Sequence, residues 1–277
     1  MMNIDNDNVF HDRYLCTSYN VDRNYMSKLD FFFQLIQDAA GNHAYMRECS
    51  LPHLMKEQKT WVVLRSVLDI YHYPKWPEYL DVQTWPMPYR KYCCPRGTYI
   101  DDAETGLRMA QCFSDWCILD LARGRRPTRP EFLQPRLPVV PSDSKHPMPN
   151  FLEKIPMYDQ IDGLACLSEG QADKRFFDSD YNGHINNIAY LQWIVECLPY
   201  DFLSTHLAAH VDISWNKETH LDDDLHVYIG ASDPDAYQND EALLHTKIVR
   251  MEGSEQVTVC SASMVWKKQT SFDSLAI

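Results

Sequence analysis

Hydrophobic positions along this chain recur at two periods. Ile188, Leu191, Ile194, Val195 and Leu198 stand at helical spacing and Pro199 ends the run, so a helix is predicted over 188–198. A second helix-like stretch is richly aromatic and holds Phe31, Phe32, Phe33, Leu35 and Ile36. After each helix the pattern changes. Trp61–Tyr71, Leu80–Trp85, Val211–Trp215 and Leu225–Ile229 are rich in β-branched and aromatic residues and predict strands. Hairpin signals at Asp101–Gly106 and Met251–Ser254 lead into two further strands, Leu107–Leu119 and Gln256–Lys267.

The same order of elements thus occurs twice. Displacing the sequence by 158 places Gln34, Ile36 and Asp38 on Gln192, Ile194 and Glu196, and Asp22 and Asn24 on Asp180 and Asn182. His184 falls on Met26, so the first copy lacks that titratable residue. One long helix followed by antiparallel strands is an α+β plan with the helix laid on the sheet. Between the copies, residues 127–156 hold eight of the chain's 16 prolines, a density that precludes regular helix or central strand. The expected organisation is a first copy over 1–130, a proline-rich extended spacer over 131–165, and a second copy over 166–277.

Composition narrows the class. Hydrophobic content of 45% and charged content of 23% describe an ordinary globular chain with length for a real core. No apolar run is long enough for a membrane span, and the polar start has no secretory pattern, so a cytoplasmic protein is expected. Nine scattered cysteines without a C-x-x-C pair fit reduced, mostly buried thiols and speak against zinc or a disulfide framework. A net charge of −13 disfavours nucleic acid. Locally, Arg123, Arg125, Arg126 and Arg129 form a basic cluster on which an acidic carrier protein can dock, although a solvated loop explains them as well. His206 and His210 lack the glutamate of a zinc-protease helix, and no phosphate loop or serine elbow occurs, so no metal and no cofactor are expected.

The chemistry concentrates in Asp178–Asn187. If this stretch is extended, Asp180, Asn182 and His184 project to one side, a carboxylate, an amide and an imidazole able to orient a nucleophile and handle protons. Asn186 or Asn187 can cap the following helix, whose N-terminus suits a developing oxyanion. An Asp/Asn-rich turn that merely caps a helix is the plainer alternative.

The segment DSDYNGHINNIAYLQW resembles the active-site region of acyl-[acyl-carrier-protein] thioesterases, whose signature reads D-x-D-x-N-x-H-x-N-N before a Trp-containing helix. That family carries a glutamate 34 residues after the histidine, here Glu218, and the likeness extends to Tyr73–Trp76 and Asp81–Trp85. The resemblance implies two hotdog folds in tandem and hydrolysis of fatty acyl-[acyl-carrier-protein], the partner being the carrier with its acyl-phosphopantetheine. One departure matters: plant members have a cysteine directly after the glutamate, and here it is Thr219. A cysteine nucleophile there is untenable, and water activated by Glu218 with His184 is the expected mechanism. Asn182 would orient His184 or the water, Asp180 would fix the geometry or share the base role, and backbone N–H groups around Gly183, Asn186 and Asn187 would polarise the carbonyl.

Strand alternation alone points Glu218 away from the apolar face of Val211, Ile213 and Trp215, and a bulge or strand end near Lys217 would redirect it. Phe32, Leu35, Ile36, Trp61, Val63 and Leu68 would line an acyl-chain tunnel, the first copy holding the chain; the same residues serve equally as helix-on-sheet core. An acyl-CoA thioesterase of the same fold and a non-catalytic acyl-binding module or dehydratase-like relative are the alternatives; the chain is expected to be a monomer or homodimer.

Overall fold

The computed structural model describes residues 2–143, 145–146, 156–180 and 183–270. The chain divides into two compact units, Met1–Leu152 and Glu153–Ile277.

The first unit contains β1 (Asn3–Ile4), β2 (Phe10–Leu15), α1 (Leu29–Met46), α2 (Leu51–Lys56), β3 (Lys59–Ile70), β4 (Tyr79–Pro86), β5 (Cys93–Asp102), β6 (Arg108–Asp120) and β7 (Arg126–Thr128). Its antiparallel sheet has the order β1-β2-β4-β5-β6-β3, and β7 pairs with the end of β6. The apolar face of α1 lies on β2 and β4: Phe31, Phe32, Leu35, Ile36 and Ala39 are buried there. Trp85 is fully buried and opposes Gly97 across β4 and β5, with its ring where a Cβ on Gly97 would sit. Glycine at 97 is therefore a packing requirement, not a turn signal. The strand β5 is illegible in the sequence because Pro95 and Gly97 interrupt its pattern.

The second unit contains β8 (Ala165–Gln171), α3 (Asn187–Glu196), α4 (Tyr200–Leu203), β9 (His206–Trp215), β10 (Leu225–Ala231), β11 (Glu241–Glu252) and β12 (Glu255–Lys268). The sheet order is β9-β12-β11-β10-β8, all antiparallel. Helix α3 buries Ala189, Tyr190, Leu191, Trp193 and Ile194. Each unit is thus the α+β hotdog arrangement, one main helix against an antiparallel sheet. Among the described residues no helix is long and apolar enough to cross a membrane.

The proline-rich stretch departs from its expectation as a spacer from 131 to 165. Leu133, Leu137 and Val140 are buried in the first unit. The Tyr89 hydroxyl donates to the Leu137 carbonyl at 2.8 Å, and the Val140 N–H donates to Pro86 O at 2.8 Å. From Pro156 onward the chain packs on the second unit: Ser263 Oγ donates to the Pro156 carbonyl at 3.1 Å and Lys247 pairs with Asp159 at 2.6 Å. Proline excludes helix and ladder pairing, but the leucines and valines between prolines still gain from burial.

Candidate functional site

The second unit presents a tight turn before α3. The Asp180 N–H donates to the His184 carbonyl at 2.7 Å, and the Gly183 N–H donates to Asp180 O at 3.0 Å. Asp180 Oδ1 accepts the His184 N–H at 3.2 Å. Gly183 adopts φ +76°, a conformation that glycine enters without strain. Asn186 caps α3, its side chain accepting from the Ile188 N–H at 2.9 Å.

The expectation of an extended run with three side chains on one face fails here, because these bonds close a loop. Asn182 lies outside the described residues. The N–H groups of Gly183, Ile185 and Asn186 donate to Asp180, Thr219 and Asp178 respectively. Gly183 and Asn186 therefore spend their donors on the turn, and neither is placed as an oxyanion donor. Asn187 is the first residue of α3, and its carbonyl accepts from Trp215 Nε1 at 3.2 Å.

Glu218 reaches the turn because β9 stops at Trp215. The N–H groups of Asn216 and Lys217 both aim at the Val259 carbonyl, at 2.8 and 3.2 Å, so the alternating register ends there. The following loop is stitched to the turn by the Ile185 N–H donating to Thr219 O at 2.8 Å, and the Glu218 carbonyl accepts from Arg250 Nη1 at 3.1 Å. The outcome is His184 Nε2 at 3.6 Å from Glu218 Oε2, both side chains part-exposed. That gap exceeds a direct hydrogen bond, but one water about 2.8 Å from each atom can bond to both. Thr219 is fully buried and its hydroxyl is 2.6 Å from the Tyr190 hydroxyl, whose ionisation burial pushes up.

Among the described residues, the first unit repeats the backbone bonds of this turn. The Asp22 N–H donates to Met26 O at 2.8 Å, Asp22 Oδ1 accepts the Met26 N–H at 3.3 Å, and Tyr25 has φ +63° where the second unit has Gly183. Isolated bridges Val21–Ser27 and Ser179–Ile185 stand in the same places. Ser27 N–H donates to Pro74 O at 2.8 Å as Ile185 does to Thr219, which sets Tyr73 opposite Glu218. Asp180 thus has a counterpart, Asp22, with the same backbone contact. His184 and Glu218 do not; Met26 and Tyr73 stand there.

The apolar candidates of the first unit are largely core. Phe32, Leu35, Ile36 and Leu68 are buried and Val63 is half-buried. Trp61 packs on Leu54, Ile118, Leu133 and Leu137, its Nε1 donating to Cys49 O at 2.9 Å. Arg123, Arg125, Arg126 and Arg129 are all exposed, at and after the β6–β7 hairpin, with Arg123 3.7 Å from Asp120.

Sequence reasoning passed over His220. Its ring meets that of His184 at a centroid distance of 5.0 Å and an interplanar angle of 85°. Its position two residues after Glu218 was the available signal.

Comparison with known proteins gives a consistent result. Residues 7–133 match the model of the acyl-ACP thioesterase N-terminal domain, and residues 167–268 that of the C-terminal domain. An oleoyl-acyl carrier protein thioesterase, chloroplastic, of Coriandrum sativum is 26% identical over 88% of this chain and 67% of its own length. The chain spans 60% of thioesterase 2 and 77% of thioesterase 1 of the same description from Arabidopsis thaliana. Two solved structures share the fold. The 12:0-ACP thioesterase from Umbellularia californica has a TM-score of 0.73 at 19% identity, covering 94% of this chain and 98% of that one. An acyl-ACP thioesterase from Bacteroides thetaiotaomicron has a TM-score of 0.72 at 20% identity, with the same coverage.

Proposed function

The chain belongs to the acyl-ACP thioesterase family, and from that premise we propose that it hydrolyses fatty acyl-[acyl-carrier-protein] to free fatty acid and holo-carrier protein. The observation that carries the reading is the pairing of His184 with Glu218 at 3.6 Å beside the N-terminus of α3, in the one unit whose turn bears an imidazole and a carboxylate.

A thioester is a comparatively easy target, since its leaving thiolate has a pKa near about 8.5 and needs little acid assistance. Water held between His184 and Glu218 attacks the carbonyl carbon and gives its proton to this pair. The carbon–sulfur bond breaks, and the thiolate takes a proton to leave as the carrier's thiol. Negative charge on the carbonyl oxygen is met by the positive end of α3, which begins at Asn187. Asp180 acts by closing the turn that carries His184, and Asn182 is assigned the orienting role that the family signature implies.

The first unit, with Met26 and Tyr73 in place of the pair, is assigned the holding of the acyl chain. The exposed arginines at 123, 125, 126 and 129 are assigned to the acidic carrier. The site of action is assigned to the cytoplasm, as monomer or homodimer.

The test is thiol release from matched acyl-carrier-protein and acyl-CoA substrates of several chain lengths, with His184→Ala alongside. Fast, His184-dependent release from the carrier supports the proposal. Equal or faster turnover of CoA moves the assignment to an acyl-CoA thioesterase.

A further inference from the structure

We infer that His220 is a positioning residue for this reaction, its ring packing perpendicular to that of His184 and holding the imidazole toward Glu218. The inference rests on the His184–Glu218 reading given above.

Three observations carry it. First, His184 and Glu218 stand 3.6 Å apart, too far for a direct hydrogen bond to fix the ring. An imidazole has a broad preference about its outer torsion, so a neighbouring wall narrows its orientation. His220 supplies that wall, in the edge-to-face geometry that aromatic pairs favour, at 5.0 Å and 85°.

Second, His220 is itself held. Its backbone N–H donates to Asp223 Oδ2 at 2.9 Å, and Asp223 lies 3.4 Å from Arg250. Arg250 also donates to the Glu218 carbonyl, so one guanidinium braces the loop segments carrying both Glu218 and His220. Such bracing keeps reacting groups within the small tolerance that catalysis requires.

Third, the first unit provides an internal control. There the Lys75 N–H donates to Glu78 Oε2 at 2.8 Å, and the Glu78 N–H to Lys75 O at 2.8 Å. The second unit has the same two bonds between His220 and Asp223. Lysine is thus compatible with these two bonds, which do not by themselves account for an imidazole at 220; the ring's contact within the loop is Nδ1 at 4.0 Å from Asp223 Oδ2. Nor does burial, since the His220 side chain is 51% exposed. What distinguishes the second unit is that the ring at 220 faces a histidine, whereas Lys75 is bridged to Met26.

The experiment compares His220→Lys, His220→Phe and His184→Ala with the wild type on hexadecanoyl-[acyl-carrier-protein], measuring kcat, KM and melting temperature. Lysine is compatible with the two hydrogen bonds of the loop and removes the ring. We expect His220→Lys to lower kcat about tenfold with KM within about twofold and the melting temperature unchanged, since loss of orientation acts on the chemical step. We expect His220→Phe to recover kcat to within about threefold of wild type, because ring packing needs no ring nitrogen. Wild-type kcat in His220→Lys beside an inactive His184→Ala overturns the role of His220 alone. His220→Phe no better than His220→Lys also overturns it. Wild-type turnover in His184→Ala overturns the site reading and this inference with it.

Discussion

The resemblance puts a cysteine where this chain has Thr219, so the sharpest perturbation is to remove the Thr219 hydroxyl. The site geometry makes that hydroxyl structural. It is fully buried, 2.6 Å from the Tyr190 hydroxyl, behind a backbone carbonyl that ties the Glu218 loop to the turn of His184. Thr219→Val keeps the shape and the carbonyl bond but leaves the buried Tyr190 hydroxyl without that partner. An unsatisfied buried group costs about 1–3 kcal/mol. For a unit of this size about 2 kcal/mol corresponds to a fall of roughly 6–10 °C in melting temperature. Tyr190→Phe should cost a similar amount by stranding Thr219 Oγ1. The double variant, with both polar groups gone, should cost less than the two singles summed by about 1–2 kcal/mol. Thermal melts of the four proteins give the cycle, and thioester turnover at 25 °C gives the function. Turnover in Thr219→Val should stay within about threefold of wild type, because the side chain contributes no nucleophile or proton. A hundredfold loss of kcat with an unchanged melting temperature would refute the assignment.

Further expectations concern the first unit. Burial, with Arg96 and Arg47 adding to it, pushes the His43 imidazole down to about 2, while the unfolded chain takes up its proton below about 6.5. Stability should therefore fall as pH drops through that window, by about 1.4 kcal/mol per pH unit for this proton and about 2 kcal/mol by pH 5; urea unfolding of His43→Gln should show a correspondingly flatter pH dependence. Gly97→Ala drives a Cβ to 2.3 Å from the Trp85 ring and should destabilise the unit by at least about 2 kcal/mol, read as a lower melting temperature. Charge reversal at Arg125 and Arg126 should weaken turnover of carrier-linked substrate and spare a small acyl thioester, and equal loss on both would remove these arginines from docking.

Much of this architecture was legible from periodicity. The displacement by 158 that aligns Asp22 with Asp180 proves to align two hydrogen-bonded turns, down to the positive φ shared by Tyr25 and Gly183. Helix α3 and strands β3, β4, β6 and β12 fall within two residues of their predicted spans, whereas β9 begins five residues before its prediction, at His206. What escaped did so for local reasons. Pro95 and Gly97 hide β5, because a glycine required by packing looks the same in sequence as one required by a turn. The burial of Leu133, Leu137 and Val140 was masked by the prolines around them. At the site, parity along β9 pointed Glu218 the wrong way, and only the bond pattern at Val259 shows where the alternation ends. His220 went unread because a contact between rings 36 residues apart in sequence leaves no periodic trace.

The central claim is that water, aimed by His184 and Glu218, attacks the thioester carbonyl directly. A single turnover of hexadecanoyl-[acyl-carrier-protein] in ¹⁸O-water, with enzyme in excess and the products read by mass spectrometry, tests it most directly. Direct attack predicts one ¹⁸O in the released fatty acid in the first turnover, an unlabelled Glu218, and a slowed single turnover in Glu218→Gln. Unlabelled fatty acid together with ¹⁸O in the Glu218 carboxylate would contradict it, since the oxygen would then have passed through an acyl anhydride on the enzyme.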